Sequence, residues 1–206
     1  MVAPPDADHP IGILDFTGET NPRLNLYRFL ELVESHGLNL NFRCGPFCCA
    51  EMEYGGHPPF IVRDIPEINA LDSEGKPTEG YGAGNAQPSY LHPRYLELCR
   101  YWINAVDEII LPHLKVNGGC ITMVNLDNEI SYVCWDSFLA TDYNPVVAER
   151  GGFYHQFLTE TYGTAENLPY RTKYASIEDV NPPLHLCPRI HVGNMEKRCG
   201  TASPCI

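Results

Sequence analysis

The first clear pattern of apolar positions covers residues 21–37 and predicts a helix. Its apolar stripe repeats every three or four positions and consists of Leu26, Phe29, Leu30 and Val33. Asn21 or Thr20 can cap the start, because each side chain carries an oxygen that accepts from a free backbone N–H group. Gly37 can end the helix, since glycine adopts the left-handed conformation at low cost.

Two strand patterns flank a second, longer helix pattern. Residues 38–42 (LNLNF) alternate apolar and polar side chains, which favours a short strand. Residues 120–126 (CITMVNL) are almost continuously apolar, which is typical of a strand buried on both faces. Between them, the helix pattern begins at Pro93 and ends before Pro112. Its wide apolar stripe consists of Tyr95, Leu98, Cys99, Trp102, Ile103, Val106, Ile109 and Ile110.

The order strand, helix, strand predicts a βαβ unit with parallel strands and a right-handed crossover. In such units the loops that follow the strands lie on one face, where α/β barrels and open sheets hold their sites. The two loops here begin at Arg43 and Asp127. The segment from Arg43 to about His92 is much longer than an ordinary connection, which favours a functional role.

A weaker helix pattern follows in residues 151–163. The residues that it places on one side are Phe153, Phe157 and Leu158. Gly163 can end this helix, again through the left-handed conformation. Further along, Ser176 and Asp179 have the spacing of a capping box.

Composition and charge narrow the fold class and the classes of partner. The chain has 206 residues, of which 44% are apolar and 19% charged, as in ordinary globular proteins. We expect one domain over residues 1–182 and an irregular tail over residues 183–206. The formal net charge of −12 disfavours nucleic acid as a partner, because phosphate binding depends on Lys and Arg. No apolar run has the length of a membrane span, and the start, MVAPPDADHP, lacks the pattern of a secretory signal.

Nine cysteines, an odd number, favour a reducing compartment over a disulfide framework, so we expect a cytoplasmic protein. Cys44, Cys48 and Cys49 lie close together in the segment RCGPFCCAE. No second pair of Cys or His follows at zinc spacing, so we expect neither a metal nor another cofactor. A metal or redox centre on these three thiols is a competing hypothesis.

Two acidic clusters fall on the predicted loop face. Glu51 and Glu53 follow the first strand, while Asp127 and Glu129 follow the second. Glycoside hydrolysis needs paired carboxylates across a sugar-sized gap, because one protonates the leaving oxygen and the other stabilises or attacks the reacting carbon. Acids near turns are more often simply solvated, so spacing alone leaves both interpretations open.

Three segments carry longer motifs: DFTGE, FRCGPFCCAEMEYGGHPPFIV and NGGCITMVNLDNEISY. They resemble the core motifs of glycoside hydrolase family 35, the β-galactosidases, which run DF-x-G, R-P-G-P-Y-I-C-A-E-W-x-x-G-G-x-P and N-G-G-P-I-I-x-x-Q-x-E-N-E. A later segment, YGTAENLPYRTKYASIEDVNPP, is similar to one in the related family 42 β-galactosidases. Order and spacing agree over residues 10–182, so the resemblance is specific although each piece is short.

The resemblance implies an α/β fold, a (β/α)8 TIM-barrel of which this chain covers about strands 3 to 4 and the helices that follow. It implies a glycosidase that cleaves terminal β-galactosides, or related β-glycosides, with retention of configuration, and a carbohydrate as partner. Glu129 would then be the general acid/base, and Asn128 would bond the sugar hydroxyl next to the reacting carbon. Cys49, Ala50 and Glu51 would line the sugar subsite, where Glu51 would accept from a hydroxyl.

Several positions depart from the family motifs, and they bear on pocket shape and sugar preference. Cys44 stands for Pro, Phe47 for Tyr, Met52 for Trp, Asn125 for Gln, Asp127 for Glu, and Ile130-Ser131 for Tyr-Gly. A whole barrel needs about 250 residues, so the likeness implies an incomplete one, to be completed by the remainder of the barrel or by a second copy.

The resemblance also implies an attacking carboxylate on the seventh strand. None of the later glutamates follows an apolar strand run; they are Glu149, Glu160, Glu166, Glu178 and Glu196. We therefore expect the nucleophile to lie outside this chain and the chain alone to show little or no turnover. The alternative is a non-catalytic carbohydrate-binding pseudoenzyme that keeps Glu51 and Asn128 as hydroxyl partners.

Overall fold

The computed structural model describes residues 12–48, 52–78, 86–128, 142–169 and 174–182. The α-helices in these ranges are α1 (Leu26–Ser35), α2 (Pro59–Arg63), α3 (Pro93–Ile110), α4 (Pro145–Ala148) and α5 (Phe153–Tyr162). The strands are β1 (Leu40–Gly45) and β2 (Ile121–Leu126). Short 3₁₀ helices occupy Pro22–Leu24, Glu53–Gly56, Pro66–Ile68, Leu111–His113, Lys115–Asn117, Ala165–Asn167 and Ile177–Asp179.

The described residues form two compact units. Unit 1 consists of residues 12–48, 52–64 and 93–128, and unit 2 consists of residues 65–78, 86–92, 142–169 and 174–182. Both strands and helices α1 to α3 belong to unit 1, whereas α4 and α5 belong to unit 2. The expectation of one domain over residues 1–182 stays a prediction, and the expected tail lies outside the described residues.

In unit 1, β1 and β2 form a parallel two-stranded sheet, which confirms the parallel pairing predicted from the βαβ pattern. Leu40 pairs with Ile121 at one end and Gly45 with Leu126 at the other, so the C-terminal ends of the strands lie side by side. The first strand was predicted over residues 38–42, but β1 begins and ends later in the chain. The mixture of helices with a small parallel sheet is an α/β arrangement.

β2 is more exposed than its continuous apolar run predicts. Ile121 is buried, but Met123 is 60% exposed and Leu126 is 64% exposed. The prediction of a strand covered on both faces is therefore wrong for the described residues. The physical reason is that Ile121 packs into the core formed with α1 and α3, whereas no described helix covers Met123 or Leu126.

The first predicted helix is divided in two at Asn25. Asn21 caps the short turn Pro22–Leu24, and the side chain of Asn25 then accepts from the backbone N–H of Arg28 at 2.8 Å to start α1. Gly37 follows the end of α1 with φ +65°, as predicted. Leu30 is fully buried, whereas Phe29 is 48% exposed and does not share the core face that its spacing indicates.

The core of unit 1 lies between the two helices α1 and α3 and the strands. Its buried members are Leu30, Cys44, Val106, Ile109, Ile110, Cys120 and Ile121. The apolar stripe predicted for the second helix supplies three of them, and the observed bounds of α3 agree with the predicted start at Pro93 and stop before Pro112. Burial of this stripe fixes α3 against the sheet and so positions the loops at the strand ends.

Unit 2 is organised around one buried amide. Asn144 is 1% exposed, and its Nδ2 donates to the backbone carbonyls of Glu67 at 2.9 Å and Asn69 at 2.8 Å. The side chain of Asp142 accepts from the backbone N–H groups of Asn144 at 2.8 Å and Leu71 at 3.4 Å. These bonds join two segments that are more than 70 residues apart in the sequence.

Helix α5 and the turn Ile177–Asp179 pack together through Leu158, Ile177 and Val180. The predicted capping box is confirmed, because the Ser176 hydroxyl and N–H group both donate to Asp179 at 3.0 Å. The sequence pattern places Phe157 on the same side of α5 as Leu158. This prediction is wrong, because Phe157 is 57% exposed while Leu158 is buried. Across the described segments, every helix is too short or too polar to traverse a lipid bilayer.

Candidate active site

One of the predicted site residues, Asn128, lies within the described residues. Asn128 is half-buried and follows β2 by two positions. Glu129 and the predicted subsite residues Cys49, Ala50 and Glu51 lie outside the described residues. Their roles stay predictions. The described residues before and after them show which contacts fix the starts of the two loops.

Asp127 joins the loop after β2 to the loop after β1. Its Oδ1 accepts from the backbone N–H of Phe47 at 2.7 Å, and its own N–H donates to the carbonyl of Gly45 at 3.1 Å. Its backbone is left-handed, with φ +54°, a conformation that short polar residues such as Asp tolerate better than most. The start of one loop is thus bonded directly to the start of the other.

The loop after β1 turns back on itself through two close contacts. The N–H of Cys48 donates to the carbonyl of Gly55 at 2.7 Å. The ring of Phe47 lies so close to Gly55 that a Cβ there would come within 2.0 Å of the Phe47 Cε2, and Gly55 has φ +63°. Glycine is therefore required at this position both for space and for backbone conformation.

His57 connects the same loop to α3. The side chain is 4% exposed, with Nδ1 3.0 Å from the carbonyl of Tyr54 and Nε2 2.8 Å from the hydroxyl of Tyr95. Because a carbonyl only accepts, Nδ1 carries the proton, and Nε2 accepts from Tyr95. Burial lowers the pKa of His57, although the bond to Tyr54 opposes this effect. His57 is therefore neutral over a wider pH range than an exposed histidine.

A cavity of about 90 Å³ lies behind the loop after β1. Residues that line it include Cys44, Cys48, His57, Tyr95, Cys99 and Trp102. Burial raises the pKa of all three thiols, and that of Cys99 reaches about 11. These thiols are protonated at neutral pH and are poor nucleophiles or metal ligands in that form. Within the described ranges, no group of three or more His, Cys, Asp and Glu side chains is arranged to hold a metal ion.

Two polar side chains share one face at the ends of the strands. Arg43 and Asn125 are partners in the register of the sheet, so their side chains stand on the same side. Arg43 is exposed, and Asn125 is half-buried. A guanidinium and an amide next to each other provide hydrogen-bond donors suited to a polar ligand such as a sugar. Arg43 belongs to one of the family-like motifs, but its place in that motif predicts no role for it.

Neither His57 nor the bond from Phe47 to Asp127 is predicted by a sequence pattern. The alternation in LNLNF could have indicated Arg43, because continuing the period places Arg43 on the face of Asn41. No local signal indicates that His57 is buried, since its partner Tyr95 is 38 positions away in the sequence.

Known proteins show the same likeness as the sequence motifs. The family model for Glycosyl hydrolases family 35 matches residues 10–74. An exo-β-D-glucosaminidase of Pyrococcus horikoshii is 36% identical over 177 residues, which cover 84% of this chain and 22% of that protein. A β-1,2-glucosyltransferase of Ignavibacterium album is 36% identical over 172 residues, 82% of this chain and 23% of that protein. A β-galactosidase of Xanthomonas manihotis is 28% identical over 142 residues, 69% of this chain and 20% of that protein.

The chain spans about a fifth of the length of these curated relatives. The family match begins before β1 and includes the loop with Phe47, Gly55 and His57. The similarity to the exo-β-D-glucosaminidase covers 84% of this chain, and the similarity to the β-galactosidase covers 69%. Both therefore extend well beyond the residues that the family model matches. The resemblance found in the sequence motifs is thereby confirmed: this chain carries a partial glycoside hydrolase family 35 region, which the family model matches over residues 10–74.

Proposed function

We propose that the chain carries the acid/base side of a retaining β-glycosidase, with terminal β-galactosides as its first candidate substrate. In this proposal β1 and β2 are the third and fourth strands of a (β/α)8 barrel. The exposed apolar side chains of β2, Met123 and Leu126, support a larger fold, because the outer helices and the packed interior of a complete barrel would cover the two faces of this strand.

The observation that carries the proposal is the hydrogen bond from the Phe47 N–H to Asp127 Oδ1. It brings together the starts of two loops, one leading to Glu51 and the other to Asn128 and Glu129. The C-terminal face of parallel strands is where barrel enzymes hold their catalytic groups. The loop that leads to the proposed sugar subsite and the loop that leads to the proposed acid/base are therefore joined to each other near their starts.

The proposed reaction is a double displacement in which Glu129 acts twice. The protonated carboxyl of Glu129 first gives its proton to the glycosidic oxygen, while a second carboxylate attacks the anomeric carbon and the bond to the leaving group breaks. Glu129 then takes a proton from water, whose oxygen attacks the same carbon, breaks the bond between that carbon and the second carboxylate, and so releases the sugar. Asn128 bonds the hydroxyl next to the reacting carbon, and Cys49, Ala50 and Glu51 hold the rest of the ring.

The attacking carboxylate is assigned to a residue outside this chain. Glu149 follows α4, Glu160 lies in α5, and Glu166 and Glu178 lie in short 3₁₀ helices, so none of these four stands at the end of a strand. Glu196 lies outside the described residues. The remainder of the barrel, or a second copy of the chain, would supply the missing group, and the isolated chain is expected to turn over little or no substrate.

Two sugars are in competition for the proposed subsite. The relative named β-galactosidase favours galactose, whereas the relative named exo-β-D-glucosaminidase has the higher identity and favours glucosamine. The two sugars differ next to the reacting carbon, where galactose has a neutral hydroxyl and glucosamine an amine that is protonated at neutral pH. Asn128, whose neutral amide both donates to and accepts from a hydroxyl, keeps the galactoside as the first candidate.

The first experiment measures binding and turnover by the purified 206-residue chain. Calorimetric titration with galactose, and separately with glucosamine, is expected to show binding with preference for galactose. Release of nitrophenol from nitrophenyl β-galactoside and nitrophenyl β-glucosaminide is expected to be at or near the background rate. Asn128→Ala is expected to weaken galactose binding, since it removes a direct hydrogen-bond partner.

Glu160→Gln serves as the matched control for Glu129→Gln, because Glu160 is exposed on α5. Rapid nitrophenol release that Glu129→Gln abolishes would contradict the assignment of the nucleophile to a residue outside the chain. Release that survives in Glu129→Gln would contradict its role as acid/base. Absence of binding to both sugars would contradict the sugar site itself.

A non-catalytic sugar-binding protein is the second candidate function. It is favoured by the placement of the later glutamates, because none of the described ones follows a strand. The two functions separate when the chain is combined with a polypeptide that supplies the rest of the barrel. Turnover that appears only in the combination supports the enzyme, and persistent binding without turnover supports the second candidate.

A further inference from the structure

Asp127 holds an unusual position two residues before the proposed acid/base. Its backbone is left-handed, its N–H donates to Gly45, and its carboxylate accepts from Phe47 across the two loops. A side chain that accepts this bond stabilises a conformation that would otherwise be costly for a residue with a Cβ. The direction in which the chain leaves β2 is therefore set at Asp127.

The bond to Phe47 is backed by a series of contacts that ends on α3. The ring of Phe47 packs on Gly55 on one side, and its centroid lies 5.8 Å from that of His57. His57 in turn is bonded to the hydroxyl of Tyr95, which is 1% exposed within α3. We call these four residues, Phe47, His57, Tyr95 and Asp127, the loop clasp. Because each member is buried or half-buried, the partner of Asp127 has little freedom to move.

We propose that Asp127 is a positioning residue that directs Asn128 and Glu129 toward the sugar by means of the loop clasp. This inference rests on the proposed function for its catalytic meaning, but the geometry that it predicts can be measured without any substrate. A displacement of about 1 Å at a reacting group can lower a rate about 100-fold. A residue that fixes the backbone next to the acid/base can therefore act strongly without touching the substrate.

Three substitutions at one position separate the contributions of Asp127. Asp127→Ala removes the acceptor and disfavours the left-handed backbone. Asp127→Gly removes the acceptor but permits that backbone. Asp127→Asn keeps an oxygen that can accept from Phe47 and also tolerates the left-handed conformation.

The substrate-free readout is nuclear magnetic resonance of the labelled chain. The three-bond coupling between HN and Hα at residues 127 and 128 reports their φ angles, and exchange of the Phe47 amide proton reports its hydrogen bond. We expect Asp127→Ala to change both couplings and to speed exchange at Phe47 about tenfold or more. Glycine has two Hα atoms, so Asp127→Gly is compared at residue 128, where the coupling should stay closer to wild type while the protection of the Phe47 amide is lost. Asp127→Asn should retain both couplings and the protection.

The functional readout is galactose affinity, together with kcat and KM wherever turnover is measurable. Asp127→Ala is expected to raise the galactose Kd about tenfold and to lower any kcat about 100-fold with a smaller change in KM. Asp127→Asn is expected to recover most of both. Asp64→Ala is the matched control, since Asp64 is exposed at the end of α2 and should leave every readout unchanged.

The outcomes distinguish this inference from the proposed function. Unchanged couplings and unchanged Phe47 exchange in Asp127→Ala would overturn the inference, whether or not the chain binds sugar. An Asp127→Asn variant as impaired as Asp127→Ala would overturn it as well. The couplings could respond as expected while neither the wild type nor any variant binds sugar. In that case the proposed function is wrong and the loop clasp has no catalytic role, but its geometry is still supported.

Discussion

Units 1 and 2 join distant parts of the chain by different means. The main core of unit 1 is a cluster of seven buried apolar residues contributed by α1, α3 and the two strands. In unit 2 the apolar cluster is smaller, with Leu158, Ile177 and Val180. Buried polar groups add distant connections there: Asn144 binds the carbonyls of Glu67 and Asn69, and His155 Nε2 lies 2.9 Å from the carbonyl of Val180.

The difference follows from the regular structure available to each unit. Strands and long helices satisfy their own backbone groups, so the segments of unit 1 are joined mainly through apolar side chains, to which the loop clasp adds hydrogen bonds. The segments of unit 2 around Glu67 and Asn69 are short turns with isolated bridges to Pro88 and Pro77. Their carbonyls need partners, and a buried amide supplies them. Contact area should therefore dominate the stability of unit 1, and hydrogen-bond partners that of unit 2.

The largest expected effect is the loss of a core side chain in unit 1. Leu30→Ala should lower the free energy of unfolding by about 3 kcal/mol, because Leu30 is fully buried among apolar neighbours. Hydrogen exchange followed by mass spectrometry would show the loss in peptides of unit 1. Leu32→Ala is the control on the same helix, since Leu32 is 40% exposed. Equal losses in the two variants would show that packing does not dominate this unit.

The second effect concerns the buried amide of unit 2. Asn144→Ala should lower stability by about 2 kcal/mol, because the carbonyls of Glu67 and Asn69 lose their donor. Exchange should accelerate first in residues 65–78. Asn167→Ala, at an exposed position of the same unit with one side-chain bond to Tyr162, should change little. If Asn144→Ala accelerates exchange only in unit 1, the assigned role of the amide is wrong.

The third effect is a dependence of unit 1 on pH through His57. Burial lowers its pKa in the folded protein from the ordinary value of 6.5, so the folded state binds fewer protons than the unfolded state. The resulting stabilisation is complete above pH 6.5 and is lost as the pH falls below 6.5 toward the lowered pKa. Urea unfolding between pH 5 and pH 8, monitored by exchange in residues 52–64, would show this trend.

The matched variant is His57→Gln, whose amide can donate to Tyr54 and accept from Tyr95 but does not titrate. Its stability should vary less with pH than that of the wild type over the same range. If stability changed equally with pH in both proteins, the pH dependence would come from groups other than His57.

The smallest expected effect lies on β2. Leu126→Ser should change stability by less than about 0.5 kcal/mol in the 206-residue chain, because Leu126 is 64% exposed. Ile121→Ser, on the same strand but 2% exposed, should be strongly destabilising. A large loss at Leu126 would mean that the side chain is covered in solution, for example by a second copy, and sedimentation of both variants would detect that copy.

Local patterns predicted the parts of the fold that depend on local forces. The stripe of α3, its boundary prolines and the capping box at Ser176 are set by neighbouring residues, and all three are confirmed. The break at Asn25 was missed because Asn21 and Pro22 form an equally good start a few positions earlier. Two competing caps in one segment cannot be ranked by their composition alone.

The exposure of β2 was mispredicted for a different reason. An apolar run indicates that a strand is suited to contact apolar side chains on both faces. It does not specify whether the elements that supply those side chains belong to the same stretch of chain. The candidate site shows a similar limit. Motif residues such as Asn128 could be named from the family likeness, but the bond between Phe47 and Asp127 spans 80 positions and follows from tertiary packing.

The cavity of about 90 Å³ behind Cys48 and His57 is partly open to solvent and lined mainly by apolar surface. Packing beside such a gap is incomplete, and hydrostatic pressure destabilises folded states in proportion to the poorly packed volume that unfolding eliminates. Among the described parts of unit 1, the loop beside this cavity is therefore expected to respond to pressure, and it is the loop that leads to Glu51.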